Sequence, residues 1–431
     1  MAAPPSATIR PRSVPARLAA LALLVLLAVA AGLVATLATA AWTARPVVFL
    51  AAGWTVFALG AGAAARRACV PRWRWPVTAG VLVVGSALGA AALLRPGDAT
   101  MPAPPSGILR VGLAGGAHLA YLEMTAPHAA HATPVIFLHG GPGMADMAGD
   151  RPYLRRLAAA GYDVYLYDQL GAGQSSRLAD PSRYTLARGV ADLDSFRKAI
   201  HARQVDLIGY SWGATLAASY LASHARHVAR VVFVSPGALD PRRSDLVAML
   251  SRLDLAHLAA LARQVLAPRA ALAWLLVQVN PGAAHAFAGD SEMDTRLRAM
   301  IAAVAPAFYC RPPARPNGGH PGFYVLAMLL RPLARPGVDP HAALRRLATP
   351  ALILRGQCDY VSRASAIDYR RTLANSHLVV LPRAGHRLFA ERPHAFAAIV
   401  AAFLEGRALP WAAASRSGAP AGGHRAAKTL R

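Results

Sequence analysis

The chain has 431 residues, enough for two or more folded units, and a formal net charge of +25 at pH 7. Nearly all of its positive charge is arginine, Lys198 and Lys428 being the only lysines, and Ala, Arg and Pro abound together, as GC-rich coding produces. No basic helix with interleaved aromatics and no zinc-finger spacing accompanies the charge, so nucleic acid is not an expected partner. Cys69, Cys310 and Cys358 are too few and too scattered for a disulfide framework or a zinc site, which leaves free thiols at 310 and 358 as the expectation and a bridge between them as the alternative.

The N-terminal third is apolar. After a Pro-rich basic start with Arg10, Arg12 and Arg17, three uncharged runs follow, Leu18 to Trp42, Val47 to Ala65 and Val77 to Leu94. Each is near the roughly 20 residues that span a bilayer. Trp42, Trp73 and Trp75 stand at run ends or in a connection, as interfacial anchors do, while Trp54 lies inside a run. Arg66, Arg67, Arg72 and Arg74 lie between the second and third runs, against Arg45 alone between the first and second. The positive-inside rule then puts the N-terminus in the cytoplasm and everything after Arg95 outside, with a bacterial inner membrane as the expected location. Ala38-Thr39-Ala40 also fits a signal-peptide cleavage site, although the apolar run is long for one; cleavage would not change the side of the soluble part. The expected divisions are a membrane region over 1–95 (spans 18–42, 47–65 and 77–94) and a Pro/Gly-rich linker over 96–107.

From Ile108 the pattern changes to short apolar strands alternating with helices. Ile108–Leu113 and His118–Met124 read as a hairpin around Ala114-Gly115-Gly116, and Pro134–Leu138 as a buried strand. A helix over Pro152–Ala160 leads to a strand at Tyr162–Tyr167, a helix over Leu186–Ala202 to a strand at Val205–Ile208, and a helix from Ala214 to a strand at Val231–Val234. Such alternation predicts a mainly parallel sheet with helices on both faces. Residues 238–340 read instead as helical stretches with Pro/Gly joints, a cap inserted into the core. Strand and helix then resume at Ala351–Leu354, Ala364–Leu373, His377–Leu381 and Pro393–Leu404, so the core comprises 108–237 and 341–407, and 408–431 is expected to be a disordered basic tail.

Three positions on this framework suggest nucleophilic chemistry. Gly209-Tyr210-Ser211-Trp212-Gly213 reads G-x-S-x-G where a strand gives way to a helix, a turn that lifts a serine hydroxyl clear of the sheet. Asp359 follows strand 351–354 and His386 follows strand 377–381, both at the carboxyl edge where open α/β sheets form their sites. A nucleophile needs a base and the base needs an orienting acid, and Ser211, Asp359 and His386 come in that role order. His139-Gly140-Gly141-Pro142-Gly143 after strand 134–138 lets backbone N–H groups approach a ligand oxygen, so Gly141 N–H with Trp212 N–H is the expected oxyanion hole. His139, Gly140, Pro142, Gly143 and Asp168 are expected to shape these loops. No metal and no organic cofactor is implied.

These motifs, with Asp168-Gln169-x-Gly171-x-Gly173-x-Ser175, Gly356-x-x-Asp359 and Gly385-His386, resemble the α/β-hydrolase superfamily, and in it the proline iminopeptidase-like branch, over about Ile108 to Arg407. The resemblance implies an α/β-hydrolase fold with a helical cap, here preceded by about three transmembrane helices. It also implies a serine hydrolase acting on a short peptide or other small molecule. The branch usually has Arg after Asp-Gln, where Leu170 stands, and a Trp-Glu pair in the cap to hold the substrate amine, where Trp274 is followed by Leu275. Asp290, Glu292 and Asp294 are the acidic cap residues left for that task. Expectation thus centres on a membrane-anchored aminopeptidase of this type. The alternatives are a carboxylesterase or lipase-like hydrolase of apolar acyl esters, an acyltransferase, and an inactive binding ectodomain.

Overall fold

The computed structural model describes residues 13–97, 99–128, 131–239, 245–311, 319–331 and 339–410. The N-terminal stretch before residue 13 and the tail from 411, expected above to be disordered, lie outside the described residues. Two compact units emerge, one of Met1–Ala99, Ala179–Ser182 and Val265–Glu292, the other of Thr100–Leu178, Arg183–Gln264 and Met293–Arg431.

The first unit begins with α1 (Val14–Ala40), α2 (Pro46–Ala68) and α3 (Pro71–Leu93), three helices long and apolar enough to cross a membrane. They begin earlier than the apolar runs because each has proline in its first turn, where the missing N–H costs nothing. Trp73 and Trp75 therefore lie within α3 rather than in a connection, and only Cys69 and Val70 separate α2 from α3. Small residues let α1 and α2 approach closely: a Cβ on Gly32 would stand 2.8 Å from Gly53 O, and one on Gly60 would stand 2.7 Å from Ala28 Cβ. Pairing 32 with 53 and 28 with 60 is an antiparallel register. Trp54 Nε1 donates to Ser86 Oγ (3.0 Å), which sets α3 antiparallel to α2 in the same way.

The second unit is built on one sheet. In chain order its early elements are β1 (Leu109–Gly112), β2 (His118–Met124), β3 (Val135–Leu138), α4 (Met147–Ala159), β4 (Val164–Tyr167), α5 (Leu186–Ala199), β5 (Val205–Tyr210), α6 (Trp212–His224) and β6 (Val228–Val234). The helical insertion follows as α7 (Leu246–Leu250), α8 (Leu255–Val265), α9 (Pro268–Val279), α10 (Pro281–Phe287), α11 (Asp290–Val304), α12 (Phe323–Leu329) and α13 (His341–Leu344). Then come β7 (Ala351–Gly356), α14 (Arg363–Thr372), β8 (Ser376–Leu381), α15 (Leu388–Glu391) and α16 (Pro393–Leu404). The strand order is β1-β2-β4-β3-β5-β6-β7-β8, antiparallel at β1-β2 and β2-β4 and parallel from there on. β3 and β5 are buried throughout, as near-continuous apolar strands in the middle of a parallel sheet should be. Phe137, Tyr210, Phe389 and Phe396 form an aromatic spine of the core on one face of the sheet.

The helical insertion is shared between the two units. Its 265–292 portion, most of it α9 and α10, belongs with the N-terminal helices, and the rest belongs with the sheet. α4 starts at Met147, upstream of the expected Pro152, because the Asp146 side chain accepts from Gly149 N (3.0 Å) and caps it.

Cys310 and Cys358 form a disulfide, contrary to the expectation of free thiols. Their sequence separation of 48 gives no spacing signal, yet the loop after β7 and the chain leaving α11 meet with Cα atoms 5.5 Å apart. Closing a loop of this size restricts the unfolded chain, so reduction should lower the stability of the sheet unit by about 2–4 kcal/mol. Thermal unfolding of the Cys310→Ser/Cys358→Ser double variant against the oxidised protein measures it.

Candidate active site

Ser211 occupies a turn that its neighbours force. Its backbone has φ 53° and ψ −114°, an uncommon conformation for a residue with a side chain. A Cβ on Gly209 would come 2.5 Å from Gly213 O, and one on Gly213 would come 2.1 Å from Leu138 O. Both glycines are thus required by close backbone approach. The turn is tied to the sheet by Ser211 N donating to Val234 O (2.9 Å). Trp212 is the first residue of α6, so its N–H is one that the helix cannot pair.

His386 Nε2 lies 3.0 Å from Ser211 Oγ, and His386 Nδ1 lies 2.8 Å from Asp359 Oδ1. Both His386 and Asp359 are buried. Burial pushes the Asp359 carboxyl up, but His386 and the Val361 N–H (3.0 Å) outweigh it and hold the acid below its ordinary value. An ionised Asp359 accepts the Nδ1 proton, which leaves the Nε2 lone pair facing the serine hydroxyl. The loops carrying the two residues fit closely: a Cβ on Gly356 would meet Gly385 O at 2.2 Å and Ala384 O at 2.3 Å. Rings of Tyr360, Tyr210 and Phe308 surround the imidazole at 4.5, 5.2 and 5.9 Å.

The glycine loop after β3 sits against the serine. A Cβ on Gly140 would stand 3.1 Å from Ser211 Cβ, and Gly141, with φ 128°, precedes Pro142 through a cis bond. Gly143 O accepts from Gly322 N (2.8 Å). His139 is buried, and its ring is fixed on both sides. Gln169 N donates to His139 Nε2 (2.9 Å), so Nδ1 carries the proton and donates to Gly140 O (2.9 Å). Gln169 Nε2 donates in turn to His139 O (2.8 Å). Burial lowers the His139 pKa to about 4, against a smaller upward effect of the Gly140 carbonyl. Asp168 Oδ2 accepts from Gln174 N (2.8 Å), and burial pushes this carboxyl up to about 7. Ser175 Oγ links Asp168 O (2.5 Å) to Ala120 N (2.9 Å).

The three acids considered for substrate binding are engaged elsewhere. Asp290 pairs with His285 (2.8 Å) and Glu292 with Arg269 (2.8 Å). Asp294 accepts from Arg177 Nη2 (2.8 Å) and from Phe323 N (2.7 Å).

Several residues that position the site carry no sequence signal. Arg387, next to His386, reaches across to Asp146 (3.3 Å) and Asp150 (2.6 Å) in a buried cluster. Arg252 donates to Cys358 O and to Asp359 O (3.0 Å), and Arg355 donates to Asp359 O (3.2 Å) and Val361 O (2.9 Å), so two guanidinium groups grip the acid loop. Glu391 accepts from Gly385 N (2.6 Å) with one oxygen and from Cys310 N (3.0 Å) and Arg311 N (3.1 Å) with the other. In an arginine-rich chain only burial and geometry single such residues out.

Residues 133–272 match a family described as alpha/beta hydrolase fold. An esterase from Exiguobacterium antarcticum superposes with a TM-score of 0.50 at 17% sequence identity, covering 69% of this chain and 98% of that one. This chain has the α/β-hydrolase fold. Within curated proteins it is 41% identical over 112 residues to the proline iminopeptidase of Heyndrickxia coagulans, covering 24% of this chain and 35% of the relative. It is 34% identical over 126 residues to that of Levilactobacillus brevis, covering 29% of this chain and 37% of the relative. The chain thus spans about a third of the length of these proline iminopeptidase relatives. The family match takes in the glycine loop and the Ser211 elbow of this α/β-hydrolase fold and ends before Asp359 and His386.

The tautomer of His139 has a measurable consequence. Its folded pKa lies below the unfolded value, so the unfolded chain binds the extra proton first, and the stability His139 contributes is lost as pH falls from about 6.5 towards about 4. The shift corresponds to about 3 kcal/mol. Urea titrations in detergent at a series of pH values should show the advantage of wild type over His139→Asn shrinking by up to that amount across this window and staying constant above it.

Proposed function

We propose that the chain is a membrane-anchored serine hydrolase that cleaves an amide or ester through an acyl-enzyme on Ser211, most like an aminopeptidase of the proline iminopeptidase type. The observation that carries the reading is the continuous relay from Asp359 through His386 to Ser211, at 2.8 and 3.0 Å, beside a glycine-rich loop. His386 Nε2 takes the serine proton as Oγ attacks the carbonyl carbon. Backbone N–H groups of Gly141 and Trp212 hold the oxyanion, a contribution of about 10²–10³-fold per donor. The imidazolium, steadied by ionised Asp359, gives its proton to the leaving group, and a water activated by the same nitrogen then releases the acyl group. No metal is required for any of these steps.

Partial similarity to two proline iminopeptidases favours a short-peptide or aminoacyl substrate. The engagement of Asp290, Glu292 and Asp294 by His285, Arg269 and Arg177 favours a second reading, hydrolysis of apolar acyl esters, because none of the three is left without a cation of its own to meet a free amine. In both readings α1, α2 and α3 anchor the protein with the N-terminus cytoplasmic and the hydrolase outside. The Arg-rich join of α2 to α3 supports this orientation, and the Cys310–Cys358 disulfide fits an oxidising compartment.

The detergent-purified chain should react with a fluorophosphonate probe, and Ser211→Ala should not. A panel of proline and alanine arylamides beside short- and long-chain aryl esters then separates the two readings. On whichever substrate is turned over, Ser211→Ala should lose activity by about 10⁶-fold. Folded wild type that neither labels nor hydrolyses any of the panel would sink the catalytic reading.

A further inference from the structure

The α9–α10 segment is separated from α3 by more than the whole first half of the sheet, yet it forms one compact unit with α1, α2 and α3. Its attachments are specific. Arg269, in the first turn of α9, donates through Nη1 to Leu93 O at the last residue of α3 and through Nη2 to Phe287 O (2.6 Å). Asn280, between α9 and α10, donates through Nδ2 to Ala40 O at the last residue of α1 (2.8 Å). Phe287, at the end of α10, packs edge-on against Phe49 in the first turn of α2, with ring centroids 6.4 Å apart. In an antiparallel bundle, the end of α1, the start of α2 and the end of α3 lie at one end. α9 and α10 therefore close that end of the bundle, the end opposite the arginines that join α2 to α3.

The composition of α9 suits lipid. Ala270 to Val279 holds no charged side chain. The single cation of the helix, Arg269, is buried, with its charge met by Glu292 at 2.8 Å. One face packs inward through Leu272, Ala273, Leu276 and Val277. The opposite face is mostly apolar and exposed: Trp274 is 38%, Leu275 37% and Val279 42% accessible, with the uncharged Gln278 beside them, and Leu266 just before the helix is 72% accessible. An exposed stripe of Trp, Leu and Val is what a helix lying in a membrane interface presents. The spans of the same unit present exposed apolar residues too, Leu88 on α3 among them.

We propose that α9 is a fourth membrane element, lying in the outer leaflet with Trp274, Leu275 and Val279 against acyl chains and locked to the bundle by Arg269 and Asn280. The occupant of this face is lipid, because the face is uncharged and belongs to one compact unit with the apolar, exposed spans. The inference rests on the membrane-anchor reading. It makes part of the hydrolase's own helical insertion a lipid-bound element.

The test uses the full chain in a Cys69→Ser background, with single substitutions Leu275→Cys, Leu88→Cys and His377→Cys, the last on the exposed face of β8. Each is labelled with an environment-sensitive nitrobenzoxadiazole maleimide. The proteins are reconstituted into phosphatidylcholine vesicles with and without nitroxide-bearing acyl chains. The expected result is blue-shifted emission that nitroxide lipid quenches at Leu275→Cys and Leu88→Cys, with no quenching at His377→Cys. Quenching at Leu88→Cys without quenching at Leu275→Cys would overturn the proposal and leave the anchor standing. Absence of quenching at both would remove the anchor and the proposal together. If oxidation cross-links Leu275→Cys between two chains while lipid fails to quench it, the face belongs to a second copy and the proposal is wrong.

Discussion

The approach of Gly213 to the carbonyl of Leu138 is the constraint from which the rest of the site follows. Two chain segments come so close there that a single methyl group would overlap an oxygen at 2.1 Å. That closeness seats the start of α6 directly on the end of β3. It forces Ser211 into a left-handed conformation and brings the glycine loop after β3 beside the serine. His139 and Gln169 then fix this loop from beneath with hydrogen bonds whose donors and acceptors can be assigned without ambiguity. The site is therefore organised first by backbone packing, and its side-chain chemistry is laid on that.

What could be read in the sequence divides along a physical line. Strands such as Val135–Leu138 and Val205–Tyr210 are short, largely apolar (Asp206 excepted) and bounded by turn residues, because a central parallel strand has two buried faces. Ser211, Asp359 and His386, which the fold brings within hydrogen-bonding distance, stand out because each follows a short apolar strand of the parallel part of the sheet. α10 was hidden because Pro281-Gly282 looks like a joint, although Asn280 caps the helix through its Ala283 N–H and proline suits a first turn. Arg252, Arg355 and Arg387 were hidden for a different reason. Nothing in a chain with so many arginines tells a solvated one from one that donates to the loops around the site. The Cys310–Cys358 bridge belongs with them, since partners far apart in sequence leave no periodic trace.

The helical insertion is where local pattern and tertiary organisation part. As a run of helices with Pro/Gly joints it reads as one cap. In space its middle belongs with α1, α2 and α3, and its two ends belong with the sheet. The acids at the start of α11 divide in the same way: His285 and Arg269 take up Asp290 and Glu292 within the first unit, and Arg177 takes up Asp294 within the second. Negative charges that looked available for a ligand are each paired within their own unit.

The carboxylate of Glu391 and the Cys310–Cys358 bridge act on one short piece of chain, the exit from α11. Through Glu391 that piece is joined to Gly385, next to the imidazole; through the bridge it is joined to Cys358, next to Asp359. Ser211 is held instead by its own N–H to Val234 O in the sheet. The exit segment is thus a yoke on the acid and the base alone. Removing the bridge would therefore loosen together the loop that carries Asp359 and the exit segment that Glu391 ties to Gly385.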